Sequence, residues 1–213
     1  MKILQYLFIS LGHKILKLLP YTSIRILSVP IGTLYFLLTF RSSIKLFKRK
    51  EIFNELKINY KPLIVKINYT RYWLETLWLT NKNFSKYISP HVEIENLEYV
   101  EKLKKQYPGL IFALPHLGNW EFAIPIGNSI KLNLLAVAEP LNNSYVLNWF
   151  KSLRESLGIE IIIGGKGQNT FDLLVNKLKS GKDICLLSER SIKKSGVATE
   201  FFGQLAAFPK GPV

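Results

Sequence analysis

The chain has 213 residues, of which 48% are hydrophobic and 13% aromatic, enough for a sizeable core and too many for a disordered chain. Its single cysteine, Cys185, excludes a disulfide framework, and one cysteine with three scattered histidines excludes a metal set. The formal charge of +14 is lopsided: residues 1–90 hold 15 Lys and Arg against 3 Glu, whereas residues 91–213 hold 14 against 12 acids.

A positive front attracts either nucleic acid or an anionic phospholipid surface, and what lies between the charges decides. Here it is Leu, Ile, Phe, Tyr and Trp at near-helical spacing, without zinc-finger cysteines or an aromatic RNA-binding signature. The membrane surface is favoured and no nucleic acid is expected. Residues 2–19 carry Ile3, Leu4, Leu7, Phe8, Leu11, Ile15, Leu18 and Leu19 close to one stripe, with Lys2, Lys14 and Lys17 off it, an amphipathic helix. Gly12 and His13 run into more basic helix where a cleavable leader would end, so no cleavage is expected. Ile24 to Phe40 is 17 residues long and contains Arg25, Pro30 and Gly32, so an interfacial or buried helix is preferred to a single N-terminal span. Arg41 to Lys50 is strongly basic and reads either as a solvated face or as a lipid-headgroup contact. Pro62 to Leu79 is again helical, its aromatics Tyr72, Trp73 and Trp78 best explained as core.

The texture changes after Pro90, dividing a basic amphipathic membrane-facing region, 1–90, from a core, 91–213. Val92 to Val100 alternates like an edge strand running into a short helix that ends near Tyr107-Pro108-Gly109. Strands then follow at Leu110–Leu114, Leu132–Ala138, Ile159–Ile163 and Asp183–Leu187, with helices at about 119–129, 143–157 and 169–180. Gly158, Gly164-Gly165 and Gly181 punctuate the joints. This alternation predicts an α/β fold, a mainly parallel sheet flanked by helices. Cys185, inside the last strand, reads as a buried inert thiol, in keeping with a reducing compartment.

The chemical stretch is Leu110-Ile-Phe-Ala-Leu-Pro-His-Leu-Gly-Asn-Trp-Glu121. The run to Leu114 has no polar alternation and reads as a strand buried on both faces, which Pro115 ends. Gly118 and Asn119 supply a turn and a helix cap, so His116 falls at the carboxyl end of a parallel strand, where ligands bind in open α/β sheets. An imidazole there can take a hydroxyl proton if a carboxylate orients it, and either Glu121 or Glu189, just past the last strand, can serve. His13 and His91 have no such neighbourhood. Gly164-Gly-Lys-Gly167 lacks the spacing of a phosphate-binding loop, and Ser188 lacks a nucleophile elbow.

Pro115-His-Leu-Gly-Asn-Trp-Glu121 resembles the His-x4-Asp/Glu block of the bacterial lipid A biosynthesis acyltransferase family. Leu153-Arg-Glu-Ser-Leu-Gly158, then Leu187-Ser-Glu-Arg190 with Ser195-Gly-Val197 and Phe201-Phe-Gly203, and finally Pro209-Lys-Gly-Pro212 resemble its later blocks in order. The third block is most similar to the phosphatidylinositol mannoside acyltransferases. The resemblance implies a glycerolphosphate-acyltransferase-like fold and transfer of an acyl chain from acyl-CoA, a co-substrate with no cofactor needed, to a sugar hydroxyl of a glycolipid acceptor. It implies His116 as general base at the cytoplasmic membrane face, with Glu189 as charge partner. Glu121 would orient the site, and Arg154, Arg190, Asn119 and Trp120 would contact substrate, with salt bridges to Glu121 or Glu189 as the other use of the arginines. Family members continue past the last block, so the chain is expected to be incomplete at its C-terminus. A lipid A-type acyltransferase with another donor or acceptor, and a non-catalytic basic module binding membrane or nucleic acid, are the competing readings.

Overall fold

The computed structural model describes residues 2–40, 61–82, 84, 86, 90, 92–164, 169–188, 196–201 and 203–209. The basic stretch Arg41–Lys50, His91, the glycines at 165 and 167, and the candidate site residues Glu189 and Arg190 lie outside them. The chain forms two compact units, Phe8–Pro90 and Met1–Leu7 with His91–Val213.

In the helical unit, α1 (Lys2–Leu16) contributes its residues from Phe8 onward, followed by α2 (Tyr21–Leu38) and α3 (Pro62–Trp78). Proline opens both later helices, Pro20 just ahead of α2 and Pro62 at the start of α3, where its fixed φ suits a helix and its missing N–H costs nothing. Ile24, Ser28 and Gly32 recur every fourth residue along α2 and are all buried. At Gly32 the α3 backbone comes so close that a Cβ would lie 2.6 Å from Ile67 Cα, so only glycine fits. Pro30 lies on the exposed side of the same helix. Ile26, Val29, Leu34, Leu37 and Leu38 are exposed as well, and by length and composition alone α2 can cross a membrane.

The far end of α3 is held by polar contacts. Trp78 is fully buried, and its indole N–H donates to Leu19 O at 2.8 Å, an oxygen that also accepts from Asn81 Nδ2 at 3.1 Å. The Tyr21 hydroxyl donates to Glu75 Oε1 at 2.8 Å, and burial, then the Glu75 charge, pushes Tyr21 up to about 12. His13 Nδ1 lies 2.8 Å from Leu77 O and Nε2 3.4 Å from Thr80 Oγ1, and burial lowers the imidazole below its ordinary value. The core role expected of the α3 aromatics thus holds for Trp78, whereas Tyr72 and Trp73 are only half-buried.

The second unit is α/β. After α4 (Leu97–Gln106) come β1 (Ile111–Leu114), a 3-10 turn (Trp120–Phe122), α5 (Ala123–Ser129), β2 (Leu134–Ala138), α6 (Ser144–Ser156), β3 (Glu160–Ile163), α7 (Thr170–Lys179) and β4 (Asp183–Leu187). These four strands pair in parallel, in the order β1-β4-β2-β3, so their carboxyl ends share one edge. Leu134 and Leu135, pointing to opposite faces of β2, are both buried, as a strand covered on two sides requires. Ile124, Leu134, Ile159 and Ile161 form the centre of the core, and α6 adds Val146, Phe150 and Leu153 at helical spacing.

Two expectations are corrected. Residues 92–96 form no strand: Glu93, Ile94 and Glu95 are exposed with no ladder to join, and Asn96 takes a left-handed φ of 56° that turns the chain into α4. β1 is not buried on both faces: Ile111 and Ala113, which share one face, are exposed, and among the described residues β1 ends the sheet with β4 as its one neighbour. An antiparallel hairpin, β5 (Val197–Phe201) with β6 (Gln204–Phe208), follows the sheet. Its two-residue connection contains Gly203 at φ 73°, and that glycine between two alternating segments was its sequence signal.

At the amino edge, Asp183 is wholly buried and accepts from Leu110 N at 3.0 Å, Asn133 N at 2.8 Å and Lys104 Nζ at 2.9 Å. One carboxylate thereby ties the starts of β1 and β2 to β4. Gly109 passes so close that a Cβ would lie 2.3 Å from Lys182 O.

Candidate active site at the carboxyl edge of the sheet

The loop leaving β1 is shaped by its own backbone. Leu117 N donates to Pro115 O at 2.8 Å, and Gly118 follows at φ 59°, a left-handed conformation in otherwise open space, so its backbone angle rather than its size calls for glycine. Asn119 then accepts from Glu121 N at 3.2 Å through its side chain, the cap expected from the sequence, and starts the 3-10 turn. His116 is exposed on this loop, and the half-buried Trp120 ring meets it edge to face, centroids 4.7 Å apart.

Glu121 faces the other way. It is 1% exposed and is gripped by Arg154 of α6, through Nε at 3.2 and 3.1 Å to its two oxygens and Nη2 at 2.5 Å to Oε1. The Arg154 guanidinium also lies 5.5 Å from the Phe150 ring centre, one turn back on the same helix. So in the structure Arg154 pairs with Glu121, the alternative to substrate contact that the sequence left open. This two-pronged pair welds the turn behind His116 to α6 and gives the histidine loop a stiff floor.

β4 runs beside β1 to the end of both strands. Leu114 is level with Leu187, and Ser188 N continues the ladder to Leu114 O at 2.9 Å. Glu189 is the next residue along the chain. Cys185 inside β4 is half-buried, and burial, then Asp183, pushes its thiol up to about 11, so it is protonated and a poor nucleophile at neutral pH. Among the described residues no three His, Cys, Asp or Glu side chains group as metal ligands.

The model of the family described as bacterial lipid A biosynthesis acyltransferase matches residues 1–213. The chain belongs to that family. Its curated relatives include a phosphatidylinositol mannoside acyltransferase of Mycolicibacterium smegmatis, 31% identical over 149 residues, 68% of this chain and 48% of the relative. A protein of the same name from Mycobacterium tuberculosis is 31% identical over 148 residues, 68% of this chain and 46% of its own. The chain therefore spans about half the length of the curated relatives it matches. In this member of the lipid A acyltransferase family the His116-x4-Glu121 stretch occupies the loop and turn after β1, and Arg154 stands on α6. What sequence reasoning missed is the role of Asn143, whose side chain caps α6 by accepting from Tyr145 N at 3.2 Å. Its signal was an Asn-Ser pair ahead of an amphipathic run.

Proposed function

We propose that the protein transfers a fatty acyl group from acyl-CoA to a sugar hydroxyl of a phosphatidylinositol mannoside glycolipid at the cytoplasmic membrane face. The observation that carries the reading is the β1–β4 pairing: His116 leaves one strand, and the chain leading into Glu189 leaves the strand beside it. Glu189 follows Ser188 in the sequence, and the Ser188 amide is bonded to Leu114 O.

In this mechanism the His116 imidazole takes the proton of the acceptor hydroxyl as its oxygen attacks the thioester carbonyl carbon. The tetrahedral adduct collapses with cleavage of the C–S bond, the imidazolium returns the proton to the departing coenzyme A sulfur, and an ester remains. Glu189 orients the imidazole and stabilises its charged form. No acyl-enzyme forms. Arg190 and the basic front of the chain attract the phosphates of donor and membrane, while Glu121 and Arg154 keep the histidine loop in place. The two relatives, both phosphatidylinositol mannoside acyltransferases by name, support the acceptor class.

The test incubates the 213-residue chain with labelled acyl-CoA and either a phosphatidylinositol mannoside or a lipid A precursor. Label is expected in the mannoside, with His116→Ala losing at least about a thousand-fold in rate and Glu189→Gln a large part of it. Label in the lipid A precursor alone selects the other acceptor. An unchanged rate in His116→Ala refutes the base, and an unchanged rate in Glu189→Gln refutes the pair.

A further inference from the structure

Asn143 does more than cap α6. Its side-chain oxygen accepts from Tyr145 N, while its Nδ2 donates to Lys2 O at 3.0 Å and lies 3.0 Å from Gln5 Oε1. The residue is 9% exposed, so this amide is used on both of its sides within a nearly closed site. Tyr6 and Tyr145 meet beside it with ring centres 6.2 Å apart. The loop that Asn143 ends leaves the carboxyl end of β2, the same edge from which the His116 loop leaves β1. A helix start from the far end of the sequence is thereby fixed to the sheet edge that holds His116.

What is fixed there is not an ordinary surface helix. Ile3 is 54% exposed, Leu4 71% and Leu7 54%, an uncovered apolar stripe on the turns of α1 that belong to this unit, with Lys2 off it. An apolar stripe with a basic fringe matches an anionic lipid surface, the acyl boundary taking Ile and Leu and the headgroups taking Lys.

We propose that Asn143 is a positioning residue for lipid substrate: its amide clamps the first turns of α1 to the loop after β2, so the exposed stripe of α1 presents the lipid surface to the carboxyl edge. The proposal rests on acyl transfer at that edge. Asparagine suits the task because it offers an acceptor and a donor at once: the acceptor starts α6, the donor holds α1.

The two jobs are separated by Asn143→Asp, which keeps the capping oxygen and replaces the donor by an acceptor facing Lys2 O and Gln5 Oε1. In hydrogen exchange, the amides of Tyr6 and Leu7, the first in α1 with intrahelical acceptors, are expected to exchange about ten-fold faster in the variant, with the strand amides unchanged. With the mannoside acceptor in anionic phospholipid vesicles, the apparent KM rises about five-fold, while kcat/KM for a water-soluble alkyl mannoside stays within about two-fold. Unchanged exchange at Tyr6 and Leu7 overturns the clamp, and an equal loss with both acceptors overturns the lipid-positioning role. If the wild-type chain transfers to neither acceptor, the activity reading has failed. The clamp is then judged by partition into anionic vesicles, which Asn143→Asp weakens about three-fold if the proposal holds and leaves unchanged if it does not.

Discussion

Replacing Arg154 by methionine keeps most of the apolar stem of the side chain and removes the guanidinium that grips Glu121 through three contacts of 2.5 to 3.2 Å. Glu121 is 1% exposed, so its carboxylate stays where water reaches it poorly. Breaking a buried pair from one side costs about 3–5 kcal/mol, and because the Arg154 side chain is itself 23% exposed the lower end applies, about 3 kcal/mol. At about 2–4 °C per kcal/mol for a chain of this size, the unfolding midpoint falls by on the order of 10 °C. Far-UV circular dichroism on heating, with urea titration at fixed temperature, measures both. A second variant removes the charge that the first leaves behind: Glu121→Gln combined with Arg154→Met recovers at least about half of the loss, since a neutral amide is cheaper to bury than a carboxylate. A single-variant loss below about 1 kcal/mol, or a double variant no better than the single, refutes the idea that this pair is the floor of the histidine loop.

Three further outcomes follow from the geometry. Gly32→Val drives a branched side chain into Ile67 Cα, separates α2 from α3 and lowers stability by about 1–3 kcal/mol, whereas Gly12→Ala, inside α1 with nothing within 4 Å, raises the urea midpoint slightly through helix propensity. The folded His13 titrates below 6.5, so the unfolded chain takes up the proton first, and stability falls as pH drops through 6.5 towards the lower folded value. His13→Gln flattens that slope between pH about 7.5 and about 5.5, as urea midpoints at the two values will show. Asp183→Ala strips two backbone amides and Lys104 of their shared acceptor and costs about 3–5 kcal/mol by the same titration, with soluble yield falling alongside.

Much of the α/β unit is written locally. Apolar runs of four or five residues closed by Pro115, Gly164 or Ser188 mark strands, and Asn119, Asn143 and Asn169 each stand one residue ahead of the turn or helix they cap. Strand order is not local, because periodicity says that β4 is a strand without saying that it lies between β1 and β2. For the same reason β1 reads as fully buried: its apolar composition is that of an interior strand, and its edge position is a property of the whole sheet. Asp183 escaped notice since one acid opening an apolar run looks like a strand boundary until the amides of Leu110 and Asn133 converge on it. In the candidate site, the position of His116 just past a strand and of Glu121 in the turn behind it was legible from spacing, and the grip of Arg154 on Glu121 was one of two uses the sequence allowed. The hold of Asn143 on Lys2 spans 141 positions and leaves no pattern that periodicity can detect.

The place of β4 in the sheet also sets a timetable. β1 and β2 never touch each other, since each pairs with β4, which leaves the ribosome some 45 residues after β2. Until Asp183 to Leu187 emerges, the earlier strands carry unpaired edges and the amides of Leu110 and Asn133 have no carboxylate to meet. A nascent chain stalled before residue 183 is therefore expected to aggregate more readily than one stalled after residue 188, because only the longer one holds the strand that lies between β1 and β2.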